Sequence, residues 1–244
     1  MQFGNNMKEI ATYLEFSGYT VFIFLSLATL SMVVVNVIRS KKYEVGILRS
    51  LCMSLAIVAG CYFGSKLLYI LEELTPDGSR DFGGWSSGFS MFGSFLLFPV
   101  AIALVAKISK YPVAKMFDYA TPGLLILLGV QRMGCFFAGC CGGPALHLGQ
   151  SFVWTFPVQL EEVILDFCIC FLILYLEKKE RFSGRLLLIA QVIYGIGRFI
   201  LEFFRWTPKT WFGMSHGQVF ALILVGVSVL IFILSGKKAK SIRA

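Results

Sequence analysis

The sequence has little charge and few groups that titrate near neutral pH. Only 15% of the 244 residues are charged and only two are histidines, whereas 57% are hydrophobic. Soluble domains carry about 25% charged residues, so this composition excludes an ordinary soluble enzyme. The sequence also lacks a Cys-x-x-Cys pair, a glycine-rich phosphate loop after a strand, and an evident Ser-His-Asp set. The spacing therefore predicts no bound metal and no cofactor.

Long apolar runs dominate what is present. A run of about 20 apolar residues is long enough to cross a hydrocarbon core of about 30 Å as a helix. The sequence therefore predicts an all-α membrane protein, a single domain over residues 1–244 with seven transmembrane helices. The predicted spans cover residues 18–38, 48–71, 88–105, 117–137, 158–176, 186–204 and 217–234.

The net charge of +8 follows the predicted topology. Fifteen of the 22 lysines and arginines lie between spans one and two, three and four, and five and six, or after span seven. Because basic loops stay in the cytoplasm, these loops and the C-terminus are predicted to be cytoplasmic, and the N-terminus outside. The basic residues are thus accounted for without a nucleic-acid partner.

Predicted span six carries polar residues along one helical face. Tyr194, Arg198, Glu202 and Arg205 follow one another at steps of four, four and three, so they face the same way. An arginine in hydrocarbon costs at least about 2.5 kcal/mol and normally has a partner. Two interpretations stay open, a structural Arg198–Glu202 ion pair between helices and a site that binds an anion.

Two further cations are predicted at the same end of the bundle. Arg132 lies about 22 Å along span four, Arg198 about 18 Å along span six and Lys66 about 27 Å along span two, all toward the outer leaflet. Two guanidinium groups can hold a phosphodiester through forked donors. Lys66 either joins them or extends to the membrane interface.

The partner of Arg132 must come from elsewhere in the fold, because no acidic residue lies within one turn of it. A backbone carbonyl, a bound anion and an acidic residue of span five are the alternatives. The acidic residues near the outer end of span five are Glu161, Glu162 and Asp166.

The seven cysteines include one adjacent pair, Cys140-Cys141, at the outer end of span four. Three interpretations stay open: a strained disulfide, a reactive pair of thiols beside Arg132, or simple packing in a loop. The second would suit a thiol redox enzyme of the membrane.

Five stretches, in order, resemble the bacterial phosphatidylglycerol-prolipoprotein diacylglyceryl transferases. The strongest, YGIGRFILEFFR at 194–205, is similar to that family's Y-G-x-x-R-x-x-x-E-F-x-R pattern. The stretch at 131–139, QRMGCFFAG, resembles its G-R-x-G-N-F-x-N-G. The other three stretches are DYATP at 118–122, PVQL at 157–160 and SHGQ at 215–218.

The resemblance implies an enzyme of the bacterial inner membrane that works at the outer leaflet. It would transfer a diacylglyceryl group from phosphatidylglycerol, or a related anionic phospholipid, to the lipobox cysteine of a prolipoprotein signal peptide, releasing glycerol phosphate, and it would act as a monomer. The catalytic residues implied are Arg132, Arg198, Glu202 and Tyr194. The substrate-binding residues implied are Arg132, Arg198, Lys66, Gln159, Arg205, Gly134, Gly139 and His216.

The chain departs from the family pattern around the arginines. Phe92 stands where the family commonly has a histidine, Cys135 and Ala138 replace two asparagines, and Cys140 replaces a glutamate. Phe92 cannot act as a base, which leaves Glu202 and His216 as candidates. Two alternatives to the family reaction therefore stay open: transfer of a lipid-derived glyceryl or phosphoglyceryl group to another acceptor, and phospholipid binding without catalysis.

Overall fold

The structure is a computed structural model and describes residues 3–73, 90–143, 145–148, 152–155, 157–205, 207, 209–211 and 213–241. These residues form seven α-helices: α1 (Phe3–Tyr43), α2 (Ile47–Glu73), α3 (Met91–Ile108), α4 (Val113–Phe137), α5 (Val158–Leu176), α6 (Leu186–Leu201) and α7 (His216–Ser241). The predicted all-α class is confirmed for this helical body.

Two short antiparallel hairpins lie in stretches that the sequence predicts as loops. One pairs β1 (Ala145–Leu148) with β2 (Phe152–Thr155), and the other pairs β3 (Lys209–Trp211) with β4 (Met214–Ser215). Gly213, at a φ of +74°, makes the tight reversal before β4, a conformation that glycine adopts without steric penalty. The hairpins are too short to form a core of their own.

Five of the helical segments are long and apolar enough to cross a membrane: Tyr19–Tyr43, Ile47–Leu71, Val113–Phe137, Leu186–Phe204 and His216–Ser235. The apolar part of α3, Phe92–Ile108, is shorter. Helix α5 carries three acidic residues within 19 positions, which lowers its hydropathy. The chain therefore has the character of a multi-pass membrane protein, and the count of seven spans stays a prediction.

The helices pack mainly as α1 on α4, α2 on α3, α4 on α5 and α6 on α7. One apolar core lies among α1 to α4 and includes Met32, Met53 and Ile102. A second lies among α4, α5 and α6 and includes Leu125 and Ile173. Large apolar side chains also cover the outside of the bundle, as a lipid-facing surface requires.

Buried polar contacts fix the end of the bundle at which α4 and α6 begin. Arg39 of α1 pairs with Glu177, at the end of α5, at 2.5 Å. Asp118 of α4 accepts hydrogen bonds from the backbone N–H groups of Gly184 and Leu186, which start α6. These contacts set the relative positions of α4, α5 and α6, the three helices that carry the site.

Candidate active site

Two arginines from different helices share one buried glutamate. Arg132 of α4 contacts Oε2 of Glu162 through Nε, and Arg198 of α6 donates from Nη1 to Glu162 Oε1 at 2.6 Å. The side chains of Glu162 and Arg198 are only 2% and 3% exposed. Since a buried charge without a counter-charge is strongly unfavourable, Glu162 of α5 is what allows both arginines to lie inside the bundle.

A second glutamate and a third arginine extend this group. Arg198 Nη2 lies 2.8 Å from Glu202 Oε2, and Arg205 Nη1 lies 3.7 Å from Glu162 and 3.8 Å from Glu202. Thr207 donates from Oγ1 to Glu202 Oε1 at 3.0 Å. Helix α6 ends at Leu201 and continues as one 3-10 turn, so Arg205 reaches the group from an extended residue rather than from the helix. We call Arg132, Arg198, Arg205, Glu162 and Glu202 the arginine cluster.

The arginine cluster keeps a free donor. Its three arginines face two glutamates, and the buried carboxyl group of Asp166, one turn after Glu162, interacts electrostatically with Arg132 and Arg198. Burial, followed by the positive charge of Arg198, lowers the pKa of Arg205 from its ordinary value. Among the described residues, Arg198 Nε has no hydrogen-bond partner, and Glu202 Oε2 contacts Arg198 without hydrogen-bond geometry. The cluster therefore retains donor capacity for an anion.

Aromatic rings border the cluster. Tyr194, one turn before Arg198, is 3% exposed, and its ring stacks on Phe95 with a centroid distance of 5.2 Å. Phe92 stacks on Phe220 of α7, and the Arg198 guanidinium carbon lies 5.8 Å from the centre of the Phe92 ring. Phe92 thus offers Arg198 a cation–π contact at the position where the family pattern has a histidine.

A capping box positions the start of α7 against Glu202. The Ser215 N–H donates to Gln218 Oε1 at 3.0 Å, and the Gln218 N–H donates to Ser215 Oγ at 3.2 Å. A methyl group at Gly217 would lie 2.7 Å from the carboxyl carbon of Glu202, so a larger residue there would have to displace the Glu202 side chain. His216, the neighbouring predicted site residue, is exposed.

The end of α4 folds back over its last turn. The Gly139 N–H donates to the Phe136 carbonyl and the Cys140 N–H to the Cys135 carbonyl, both at 3.1 Å, with Gly139 at a φ of +67°. This is a Schellman cap, which favours glycine at its left-handed position. Gly139 therefore shapes the chain rather than presenting a side chain to a ligand.

Two predicted substrate-binding residues hold the segment after that cap. Gln159 Nε2 donates to the Cys140 carbonyl at 2.5 Å, and Arg205 Nη2 donates to the Cys141 carbonyl at 2.9 Å. Arg205 therefore joins the cysteine segment to the arginine cluster.

Cys140 and Cys141 are free thiols, and Cys135 lies with them. The sulfur atoms of the three lie within 4.8 Å of one another. The pKa of Cys141 is lowered by hydrogen bonds from Cys135 and Cys140, and by Arg132 and Arg205, whereas that of Cys140 is raised by its two thiol neighbours. The sequence expectation of no metal site rested on ligand spacing, and the structure gathers three thiols that the spacing did not indicate.

The two remaining predicted residues are both buried. Lys66 is 2% exposed on α2, so its side chain does not extend to solvent. Gly134 packs against α1, where a methyl group would lie 2.5 Å from Phe24 Cβ. Gly134 therefore allows the close approach of two helices.

An apolar cavity of about 580 Å³ lies between α3, α4, α6 and α7 and extends to the end of the bundle at which α4 and α6 begin. Phe92, which contacts Arg198, forms part of its wall, and its wall along α7 runs from Phe220 to Ser235. At 1.5 Å per residue this wall is about 22 Å long. The cavity is large enough for part of an acyl chain, and its size falls in the range of small-molecule sites.

Sequence reasoning did not single out Glu162 as the centre of the site. Glu162 was one of three acidic residues of α5 that could pair with Arg132. Which of the three does so depends on how α5 is rotated about its axis relative to α4 and α6. Glu161 is half-exposed, whereas Glu162 and Asp166 are both buried. Glu162 and Asp166 are four residues apart and so lie on the same face of α5. This spacing was the sequence signal that could have indicated a polar, inward-facing side of the helix.

Comparison with known proteins is consistent with this geometry. The family model for prolipoprotein diacylglyceryl transferase matches residues 7–234. The chain is 30% identical over 236 residues to the phosphatidylglycerol–prolipoprotein diacylglyceryl transferase of Clostridium tetani, covering 90% of this chain and 93% of that one. It is 29% identical over 201 residues to enzyme 2 of that name from Clostridium perfringens, covering 76% and 78%. The chain belongs to the prolipoprotein diacylglyceryl transferase family.

Proposed function

We propose that the chain transfers the diacylglyceryl group of phosphatidylglycerol to the thiol of a lipobox cysteine in a prolipoprotein signal peptide. A carbon–sulfur bond forms at the glyceryl carbon as the carbon–oxygen bond to the phosphate breaks. Glycerol phosphate leaves and overall takes up the thiol proton. The names of the relatives, which state both substrates, support this reaction.

The observation that carries the proposal is the convergence of Arg132 and Arg198 on Glu162. A lipid phosphodiester carries one negative charge, and guanidinium groups bind such an anion through paired donors. The phosphate would accept from Arg198 Nε, a buried donor with no hydrogen-bond partner among the described residues. It would also compete with Glu162 for the two guanidinium groups.

The arginines then act on the leaving group. Negative charge increases on the phosphate as the carbon–oxygen bond breaks, and fixed guanidinium donors in a water-poor site stabilise that charge without reorganising. Glu202, held by Arg198 and Thr207, orients Arg198 rather than taking a proton. Tyr194 closes the apolar side of the site by stacking on Phe95.

The cavity beside Phe92 suits the acyl chains of the donor lipid. Its wall is almost entirely apolar and begins at the residue that contacts Arg198. A phospholipid with its phosphate on the arginine cluster would place a chain in this cavity.

The topology that suits this reaction has seven membrane crossings with the N-terminus outside and the C-terminus in the cytoplasm. It places the arginine cluster in the outer leaflet of the bacterial inner membrane, where exported signal peptides are present. The distribution of basic residues supports this orientation. All five residues of the arginine cluster come from one chain, which supports a monomer.

The test is transfer by the purified full-length protein in detergent, with labelled phosphatidylglycerol and a lipobox peptide. The expected products are a thioether-linked peptide and glycerol phosphate. Arg132→Ala and Arg198→Ala should each lower kcat by about 100- to 1000-fold, the effect of removing one electrostatic donor. Arg49→Ala is the matched control, because Arg49 is exposed on α2.

Unchanged turnover in both cluster variants would contradict the proposal. Bound phosphatidylglycerol without turnover by the wild-type protein would instead indicate a lipid-binding protein.

A second candidate function is transfer to an acceptor other than a prolipoprotein. Phe92 under Arg198 favours it, because the family pattern has a titratable histidine at this position. Lipid and glycolipid profiles of cells with and without the gene separate the two functions. A new glyceryl-modified lipid or glycolipid in the cells, together with no modification of the lipobox peptide by the purified protein, would support transfer to another acceptor.

A further inference from the structure

We propose that Cys135, Cys140 and Cys141 bind one zinc ion through their three thiolates. The inference is independent of the transfer reaction, since it rests on the thiols and their surroundings alone. We call these three residues the thiol cluster.

The distances in the thiol cluster suit a single metal ion. Zinc–sulfur bonds are about 2.3 Å, so sulfur atoms around one tetrahedral zinc lie about 3.8 Å apart. The three sulfur atoms lie within 4.8 Å of one another. Their separations therefore exceed the spacing around one zinc ion by at most about 1 Å.

The backbone holds the thiol cluster together. The Schellman cap returns Cys140 to the last turn of α4, where its N–H bonds to the Cys135 carbonyl. Cys141 has a φ of +63°, a conformation that costs a residue other than glycine about 1–2 kcal/mol. Such a conformation persists only where the surroundings enforce it. Here Gln159 and Arg205 bind the two cysteine carbonyls and fix the segment.

Two arginines lie beside the thiol cluster. Arg205 donates to the Cys141 carbonyl, and both Arg132 and Arg205 interact electrostatically with Cys141. Three thiolates and a divalent zinc carry a net charge of −1, and these two guanidinium groups, which also contact Glu162, interact favourably with it. Soft thiolate ligands select zinc over hard cations such as magnesium and calcium.

The exposure of the thiol cluster provides an entry path and an open coordination position. Cys135 and Cys140 are partly buried, whereas Cys141 is exposed. Three protein ligands leave the fourth tetrahedral position for water, as in zinc sites that keep an exchangeable ligand.

The first experiment uses Co²⁺ alone as an optical probe for the reduced, metal-free, full-length protein in detergent. Binding should give thiolate-to-cobalt charge-transfer absorption in the near ultraviolet, and Zn²⁺ should displace the cobalt at one ion per chain. Cys140→Ser and Cys141→Ser should each weaken binding by more than about 100-fold, beyond the loss seen for outer-shell partners. Cys52→Ser and Cys168→Ser, at exposed cysteines on α2 and α5, are matched controls.

A second measurement needs no substitution. Zn²⁺ should slow alkylation of Cys135, Cys140 and Cys141 in the wild-type protein, mapped by mass spectrometry, and leave Cys52 and Cys168 unaffected. Absence of the charge-transfer absorption would overturn the proposal. Cobalt binding that survives Cys140→Ser, or alkylation of the thiol cluster unchanged by zinc, would do the same.

Discussion

Gly217 packs so closely against Glu202 that a methyl group at position 217 would lie 2.7 Å from the Glu202 carboxyl carbon and 2.8 Å from both carboxylate oxygens. Glu202 in turn holds Arg198 at 2.8 Å. The first turn of α7 therefore sets the position of an arginine on α6.

Gly217→Ala should displace Glu202 and, through it, Arg198. Overpacking of this kind costs about 1–3 kcal/mol of stability. Since misplacing a positioned group by about 1 Å can cost about 100-fold in rate, we expect a loss of about tenfold or more in transfer activity. The control is Gly226→Ala on the same helix, where no atom of the described residues lies within 4 Å of the added methyl group. Equal activity of the two variants would show that Glu202 does not position Arg198.

Glu162→Gln should destabilise the protein while increasing its response to anionic lipid. The substitution keeps the size of the side chain but removes the carboxylate that contacts all three arginines of the cluster. Removing one partner of a buried pair costs about 3–5 kcal/mol. Thermal unfolding in detergent should show a lower Tm that phosphatidylglycerol restores more than phosphatidylcholine does.

The control for this measurement is Glu161→Gln, because Glu161 is the preceding residue of α5 and is only half-buried. Its Tm and lipid response should match those of the wild type. A Glu162→Gln variant with wild-type Tm and lipid response would contradict the central role of that carboxylate.

Phe92→Leu should weaken binding of the donor lipid with little effect on the fold. The ring under Arg198 contributes about 0.5–2 kcal/mol as a cation–π partner, so KM for phosphatidylglycerol should rise about 2- to 30-fold. Phe171→Leu serves as control, since Phe171 is 72% exposed on α5. An unchanged KM would assign Phe92 to packing alone.

Glu177 should make the stability of the protein sensitive to acid. Burial acts to raise the pKa of Glu177, but hydrogen bonds from Arg39, Tyr43 and Lys42 outweigh it and hold the pKa below 4.5. A carboxylate whose pKa is lower in the folded than in the unfolded protein stabilises the fold fully at a pH above its unfolded-state pKa. That contribution is lost as the pH falls through its folded-state pKa. Wild-type Tm should therefore drop below about pH 4.5 more steeply than that of Glu177→Gln.

The comparison variant is Glu180→Gln, which changes an exposed carboxylate three residues later. Its Tm should follow pH as the wild type does. Identical pH dependence in Glu177→Gln and the wild type would show that the Arg39–Glu177 contact does not contribute to acid stability.

The helical class and the pairing of Arg198 with Glu202 could be predicted because both follow from local spacing, whereas Arg205 lies beyond the helix in an extended conformation that helical spacing does not describe. Hydropathy locates the helices, and steps of three and four place side chains on one face. The partner of Arg132 could not be chosen, because it depends on how α5 is rotated against its neighbours. That rotation is a property of the packed bundle rather than of any one segment.

The thiol cluster depends on backbone geometry in the same way. Cys135 is five residues from Cys140, a separation at which helical side chains do not face each other, and the chain reverses at Gly139. The glycine after an apolar run was a signal for a cap, but the φ of Cys141 had no counterpart in the sequence pattern. Similarly, β1 and β2 lie in a stretch whose turn residues indicate only a loop.

The sharing of Glu162 between Arg132 and Arg198 has a consequence for how the protein is made. Arg132 is synthesised 30 residues before Glu162, and Arg198 follows 36 residues after it. In the proposed seven-span topology, the helix that carries Arg132 would enter the membrane ahead of its counter-charge, and α5 would bring the carboxylate that neutralises it. In that topology, a nascent chain that ends before α5 would keep an uncompensated charge in the bilayer.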